Sequence, residues 1–230
     1  MESATFSVIF DLDDTLYPES EYALSGFWEV AGYLAERSGS GRNEIFSKLK
    51  SDFHQGVRGN NFDRILKQVT VDVDVETLVD VYRTHEPDIE LAEDAKDCLE
   101  NLDGRPLAII TDGETVKQRK KIQALDIECV VDKVYISEEF GAEAGKPSAR
   151  MFNEFLSETG ANSDRSVYIA DNPAKDFVAP NDLGMHSIWI DRSWGEYVNE
   201  EPTTERQMPT QRIEDLRIVP ELLEEWENEL

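Results

Sequence analysis

The chain has 230 residues, 40% of them hydrophobic, and carries 23 basic against 49 acidic side chains for a formal charge of −26. That size and apolar content support one large domain, or a domain with an insert. So negative a surface repels nucleic acid and anionic membrane, which argues against both as partners.

The first predicted element is Val8–Phe10, a short apolar run that ends abruptly in Asp11, Asp13 and Asp14. The next interval reads as helical. Ala23, Phe27, Val30, Ala31 and Leu34 recur at helical spacing, as do Val75, Leu78, Val79 and Tyr82. Pro18 and Pro87 punctuate its two ends. The expected organisation is therefore a core built from residues 1–18 and 87–230, with residues 19–86 as a smaller helical domain inserted into it. Four further β-rich runs follow, Leu107–Ile110, Val134–Ile136, Val167–Ile169 and Ser187–Ile190. Between them lie helix-like segments, Glu114–Leu125, Ala149–Thr159 and Ala174–Leu183. Strands alternating with helices predict an α/β fold, a doubly wound parallel sheet with a Rossmann-like core. The runs are continuously apolar rather than alternating, as strands buried on both faces require. After the last run, "NEEPTTERQMPTQR" reads as a polar surface linker leading to an amphipathic helix around Pro220–Glu229.

The acidic surplus is spread along the chain rather than confined to a tail, and it destabilises a compact state unless counterions screen it. A protein adapted to high salt is expected, with a melting temperature that rises from low salt to molar KCl. Equal stability in both would end that expectation. Cys98 and Cys129 make no disulfide framework, and His54, His85 and His186 match no zinc pattern. The segment Met1–Ser7 is short and acidic, so no signal peptide is expected, and no apolar run is long enough to span a membrane. A soluble protein of the reducing cytoplasm fits these features.

Four polar clusters follow the apolar runs: "DLDDT", "IITDG", "GKPS" and "YIADNPAKD". In an open parallel sheet, ligands bind beyond the carboxyl ends of the strands, so these clusters should converge at one edge. Two carboxylates about 4 Å apart repel by about 4 kcal/mol at an effective dielectric near 20. Asp11, Asp13, Asp171 and Asp176 gathered there would need a cation, and oxygen ligands without histidine select Mg²⁺ over zinc. Lys146 would add a further positive charge.

With their order along the chain, "DLDDT", Thr111 of "IITDG", Lys146 of "GKP" and Asp171 with Asp176 resemble the four motifs of the haloacid dehalogenase superfamily. The helical interval after the first strand resembles that superfamily's cap. The resemblance covers roughly Ser7 to Ile190 and implies a role for each matched residue. Asp11 would be the nucleophile, forming an aspartyl-phosphate, and Asp13 the acid/base for the leaving alkoxide and then for water. Thr111 would hydrogen-bond a phosphoryl oxygen beside Asp112, and Lys146 would neutralise the nucleophile and phosphate. Asp171 would ligate Mg²⁺ with the Asp11 carboxylate and the Asp13 backbone carbonyl, Asp176 would support the metal water or Lys146, and Thr15 would orient the first loop. An aspartic acid protonates a leaving group near neutral pH only when its pKa is raised, and the acidic neighbours of Asp13 are expected to supply that shift. Ala170 stands where the family often has glycine, which concerns backbone shape alone.

The resemblance implies a Mg²⁺-dependent phosphatase acting on a small phosphorylated metabolite, with a weak tilt toward a sugar phosphate. A sugar phosphomutase of the same superfamily is the main alternative. A 2-haloacid dehalogenase is disfavoured because such enzymes lack the second aspartate. A non-catalytic binding module is disfavoured because Asp11, Asp13, Lys146 and Asp171 are all present. In the insert, "GVRGNNFDR" places Arg58 in a loop suited to read the substrate's leaving group, although an ordinary interhelical connection explains the same residues. Arg58→Ala should raise KM for the true substrate and spare a generic aryl phosphate; equal loss on both would count against the contact.

Overall fold

Six short strands form one sheet: β1 (Ser7–Phe10), β2 (Leu107–Thr111), β3 (Lys133–Ile136), β4 (Ser166–Ala170), β5 (His186–Ile190) and β6 (Gln211–Ile213). The computed structural model describes residues 5–102 and 104–229. All neighbouring strands pair in parallel, in the order β3-β2-β1-β4-β5-β6. The helices are α1 (Glu19–Ser38), α2 (Arg42–His54), α3 (Asn61–Leu66), α4 (Val75–Thr84), α5 (Glu93–Asn101), α6 (Thr115–Ala124), α7 (Arg150–Thr159), α8 (Val178–Asp182) and α9 (Val219–Glu229). The chain folds as two compact units, Met1–Glu19 with Glu90–Leu230, and Ser20–Ile89.

In the sheet unit, Ile9, Ile110, Tyr168 and Trp189 pack with Met151, Phe152 and Phe155 of α7. The alternate strand residues Val8, Phe10, Ile109, Val167 and Ile169 are fully buried as well. Successive strand residues point to opposite faces, so the sheet is covered on both sides, which is why its strands read as unbroken apolar runs. The helical unit has its own core, in which Phe27, Val30, Ala31 and Leu34 of α1 pack with Ile45 and Leu49 of α2, Ile65 of α3 and Leu78 of α4.

Three local expectations are corrected. The stretch read as a linker ends in strand β6, which pairs with β5 through Ile188↔Gln211 to Ile190↔Ile213. Its two exposed residues, Gln211 and Arg212, hide the strand from an apolar pattern. They also suit a sheet edge, where charge discourages further pairing; Arg212 lies over the Trp189 ring and pairs with Asp191 at 2.7 Å. The helix expected over Ala174–Leu183 shortens to α8. Residues 172–176 form a turn instead, in which Asn172 Oδ1 accepts from Ala174 N and Asp176 Oδ2 accepts from Asn172 N. Short Asx side chains bonded to nearby amides compete with helix in this way. Finally, "GVRGNNFDR" is a loop only in part, because α3 begins at Asn61.

Among the described residues no helix is long and apolar enough to cross a membrane. Both cysteines are free, Cys98 buried and Cys129 exposed.

Candidate active site

Asp11 follows β1, Thr111 closes β2 and Asp171 follows β4, three adjacent strands at the centre of the sheet. The chain crosses from β1 to β2 and β3 on one side and returns to β4 on the other, so these residues emerge at the topological switch point. Asp11 N still donates to Ile169 O at 2.9 Å, which continues the β1–β4 pairing one step and fixes the first carboxylate against the fourth strand.

Lys146 reaches this edge from the loop after β3. Its side chain is 1% exposed, and Nζ lies 2.8 Å from Asp11 Oδ1 and 2.8 Å from Asp176 Oδ1. Nζ also donates to the Tyr168 hydroxyl at 2.8 Å, and that hydroxyl donates to Ile110 O at 3.2 Å. Burial alone would lower the Lys146 pKa, but Asp11 and Asp176 outweigh it and hold the ammonium well above its usual range. Asp11, Asp171 and Asp176 each present a carboxylate oxygen within 4.8 Å of the others. Burial, with Asp176 adding to it, pushes Asp11 up to about 7 against the pull of Lys146. Burial and then Asp176 and Asp11 push Asp171 well above the carboxylate range.

This group fits a hard divalent cation. Asp171 Oδ2 is buried with no hydrogen-bond partner among the described residues, and Asp176 Oδ1 touches Lys146 only as an ion pair, off the hydrogen-bonding direction. Lys146, with Lys175 acting from its ion pair with Asp112, does not balance three buried carboxylates, and the donors are oxygens alone.

The Asp13 carboxylate stands outside that group, and the expected upward shift of its pKa is overturned. Burial does act to raise it, but Lys121, Tyr17 and Gln118 together hold the group below the ordinary range. Lys121 Nζ lies 2.6 Å from Asp13 Oδ1, where the Tyr17 hydroxyl also donates, and Gln118 Nε2 donates to Oδ2 at 2.9 Å. The acidic neighbours are present, but hydrogen-bond donors lie closer.

The remaining predicted residues divide. Thr111 is buried beside Asp13, its Oγ1 accepting from Gln118 Nε2 at 2.7 Å. Asp112 is already engaged: Oδ1 accepts from Lys146 N at 3.0 Å, and Oδ2 from Lys175 Nζ at 2.7 Å. It therefore braces the lysine loop. Thr15 is held through its carbonyl, which accepts from Arg192 Nη2 at 2.7 Å. Arg58 belongs to the Ser20–Ile89 unit, where it donates to Phe53 O at 2.8 Å and lies over the Phe53 ring. Sequence reasoning missed Tyr17, Gln118, Lys121, Tyr168 and Arg192.

The family described as haloacid dehalogenase-like hydrolase matches residues 8–190 of this chain. The chain belongs to that family. Among curated relatives, the glyceraldehyde 3-phosphate phosphatase of Methanocaldococcus jannaschii is 30% identical over 197 residues, covering 80% of this chain and 83% of the relative. The ribulose-1,5-bisphosphate 5-phosphatase of Halopiger xanaduensis is 31% identical over 206 residues, covering 81% and 85%. Among solved structures, a haloacid dehalogenase-family phosphatase from Thermococcus onnurineus superposes with a TM-score of 0.61 at 22% identity, covering 95% of this chain and 98% of its own. A 2-haloacid dehalogenase from Pseudomonas syringae superposes at 0.66 and 21%, covering 96% and 99%. Phosphatase and dehalogenase thus share this fold, and side chains must separate them.

Proposed function

We propose that this chain is a Mg²⁺-dependent phosphatase that removes phosphate from a small phosphorylated sugar through an aspartyl-phosphate on Asp11. The observation that carries the reading is Lys146, buried between Asp11 and Asp176 next to an Asp171 oxygen with no hydrogen-bond partner among the described residues. A lysine and a divalent cation on either side of a carboxylate are what an anion needs before it can attack another anion.

In this reading Asp11 attacks phosphorus, forming an acyl phosphate while the bond to the sugar oxygen breaks. Lys146 and the Thr111 hydroxyl hold the phosphoryl oxygens. Asp13 gives its proton to the departing alkoxide, then takes one from the water that attacks the acyl phosphate, and inorganic phosphate leaves. A phosphate dianion beside Asp13 raises its proton affinity for the first step, and Lys121 favours the ionised form for the second. The cation would be held by the Asp11 and Asp171 carboxylates with the Asp13 carbonyl, near Asp176. It would supply charge neutralisation for attacking and transferred oxygens.

Relatives named for glyceraldehyde 3-phosphate and ribulose 1,5-bisphosphate support a triose or pentose phosphate as substrate. The dehalogenase alternative is weakened by Asp13, whose three donors would be superfluous where no alkoxide needs a proton. We read the Ser20–Ile89 unit as the family's cap and Arg58 as its candidate substrate contact. The free cysteines suit the reducing cytoplasm, where such metabolites occur. Phosphate release from a panel of triose, pentose and hexose phosphates, with Mg²⁺ in molar KCl, tests the proposal. Release from a triose or pentose phosphate is expected; conversion of a hexose 1-phosphate to its 6-phosphate without release would point to a mutase.

A further inference from the structure

We infer that Lys121, Gln118 and Tyr17 are positioning residues that clamp the Asp13 carboxylate beside the Thr111 hydroxyl, and that this clamp sets how well the enzyme expels leaving groups that need a proton. The inference rests on the phosphatase reading of the same site.

Gln118 and Lys121 are three residues apart on α6, hence on one helix face, and each is 1% exposed. A lysine so completely hidden is rare unless paired. Here the inward face of a surface helix spends two positions on polar side chains, where leucine or isoleucine would pack as well. Replacing a buried ion pair with apolar residues is often neutral or stabilising, so fold stability does not account for the choice.

The geometry does. Asp13 Oδ1 accepts from Lys121 Nζ at 2.6 Å and from the Tyr17 hydroxyl, and Oδ2 accepts from Gln118 Nε2 at 2.9 Å. An ionised carboxylate has about four acceptor positions. The described residues fill three, which leaves one direction open among them for a leaving oxygen or a water. The same Gln118 Nε2 lies 2.7 Å from Thr111 Oγ1. One amide therefore fixes the spacing between the hydroxyl meant for phosphate and the carboxylate meant for the leaving group. The backbone makes room for it: Gly113 has φ +143°, and a Cβ there would come within 3.2 Å of Gln118 Cγ and Cδ. Lys121 Nζ also lies 3.6 Å from Glu19 Oε1.

A carboxylate free to rotate would lose its aim, and small misplacements of a reacting group cost about 100-fold in rate. The loss should depend on the leaving group. Sugar alkoxide needs a proton as the P–O bond breaks, whereas 4-nitrophenolate departs without one. The value of kcat/KM reports steps up to leaving-group departure, so it isolates this event from the later hydrolysis.

The test compares wild type with Lys121→Met and Gln118→Met on glyceraldehyde 3-phosphate and 4-nitrophenyl phosphate, with Mg²⁺. For both variants, kcat/KM on the sugar phosphate should fall about 100-fold, through kcat more than KM, and on the aryl phosphate by less than about fivefold. Equal losses on the two substrates, or none, would overturn the clamp. If Lys121→Met fails to fold, Gln118→Met decides, since it removes no charge and carries the same prediction. Wild-type enzyme inactive on both substrates would instead overturn the phosphatase reading, and the clamp's role with it.

Discussion

Asp11→Asn should abolish phosphate release, by at least about 10⁴-fold, while leaving the protein folded. An amide does not displace an alkoxide from phosphorus, and among the described residues no other carboxylate is placed to substitute. Asp171 and Asp176 would hold the proposed cation, and Asp13 is turned toward Lys121, Gln118 and Tyr17. The fold should survive because the change removes one charge from a crowded set: the Asp11 carboxyl is already pushed up to about 7 by burial and by Asp176. Lys146 keeps Asp176 at 2.8 Å as its partner. Phosphate release measured beside a thermal melt checks both halves. A folded variant retaining more than about 1% of activity would remove Asp11 from the nucleophile's role.

The second large effect concerns metal and pH. Without a divalent cation, Asp11 and Asp171 bind protons more tightly in the folded chain than in the unfolded one. Their contribution to stability is therefore present below the unfolded pKa, near 4; the share of Asp11 is lost as pH rises through about 7, and that of Asp171 on the same rise above the carboxylate range. Metal-free protein should melt lower at pH 8 than at pH 5.5, and Mg²⁺ should restore more stability at pH 8, because cation and protons compete for the same oxygens. At a Mg²⁺ concentration 100 times its Kd the gain is about 2.7 kcal/mol, or about 5–10 °C for a chain of this size. Asp171→Asn should raise the metal-free melting temperature at pH 8 and abolish the Mg²⁺ response. A variant that still gains stability from Mg²⁺ would place the cation elsewhere.

Much of this architecture could be read in advance for a simple reason. Asp11, Thr111 and Asp171 stand where unbroken apolar runs stop, so the polarity change marks the sheet edge in the sequence itself. Strand β6 could not be read, because an edge strand of three residues buries only Ile213 and shows no period. The surroundings of Asp13 were also hidden. Gln118 and Lys121 lie in "KQRKK", which looks like a solvated helix face, and only folding brings them 105 and 108 positions back along the chain to Asp13. A signal was present nonetheless: α6 has almost no apolar stripe, so part of its buried face had to be polar. Tyr168 was masked differently. It reads as one more core residue of β4, and its ring does pack against Phe152, but its hydroxyl reaches Lys146.

In the proposed reaction Asp11 carries the phosphoryl group, and Asp13→Asn offers the direct view of it. That variant would lack the group proposed to activate water but still permit departure of an aryl oxide, so the acyl phosphate should accumulate. Rapid mixing of Asp13→Asn with 4-nitrophenyl phosphate and Mg²⁺, followed by acid quench and mass spectrometry of the peptide spanning residues 7–17, reads it out. A burst of about one nitrophenol per enzyme is expected, with the phosphoryl group on Asp11. Nitrophenol and inorganic phosphate appearing together from the first turnover, with residue 11 unmodified, would contradict it.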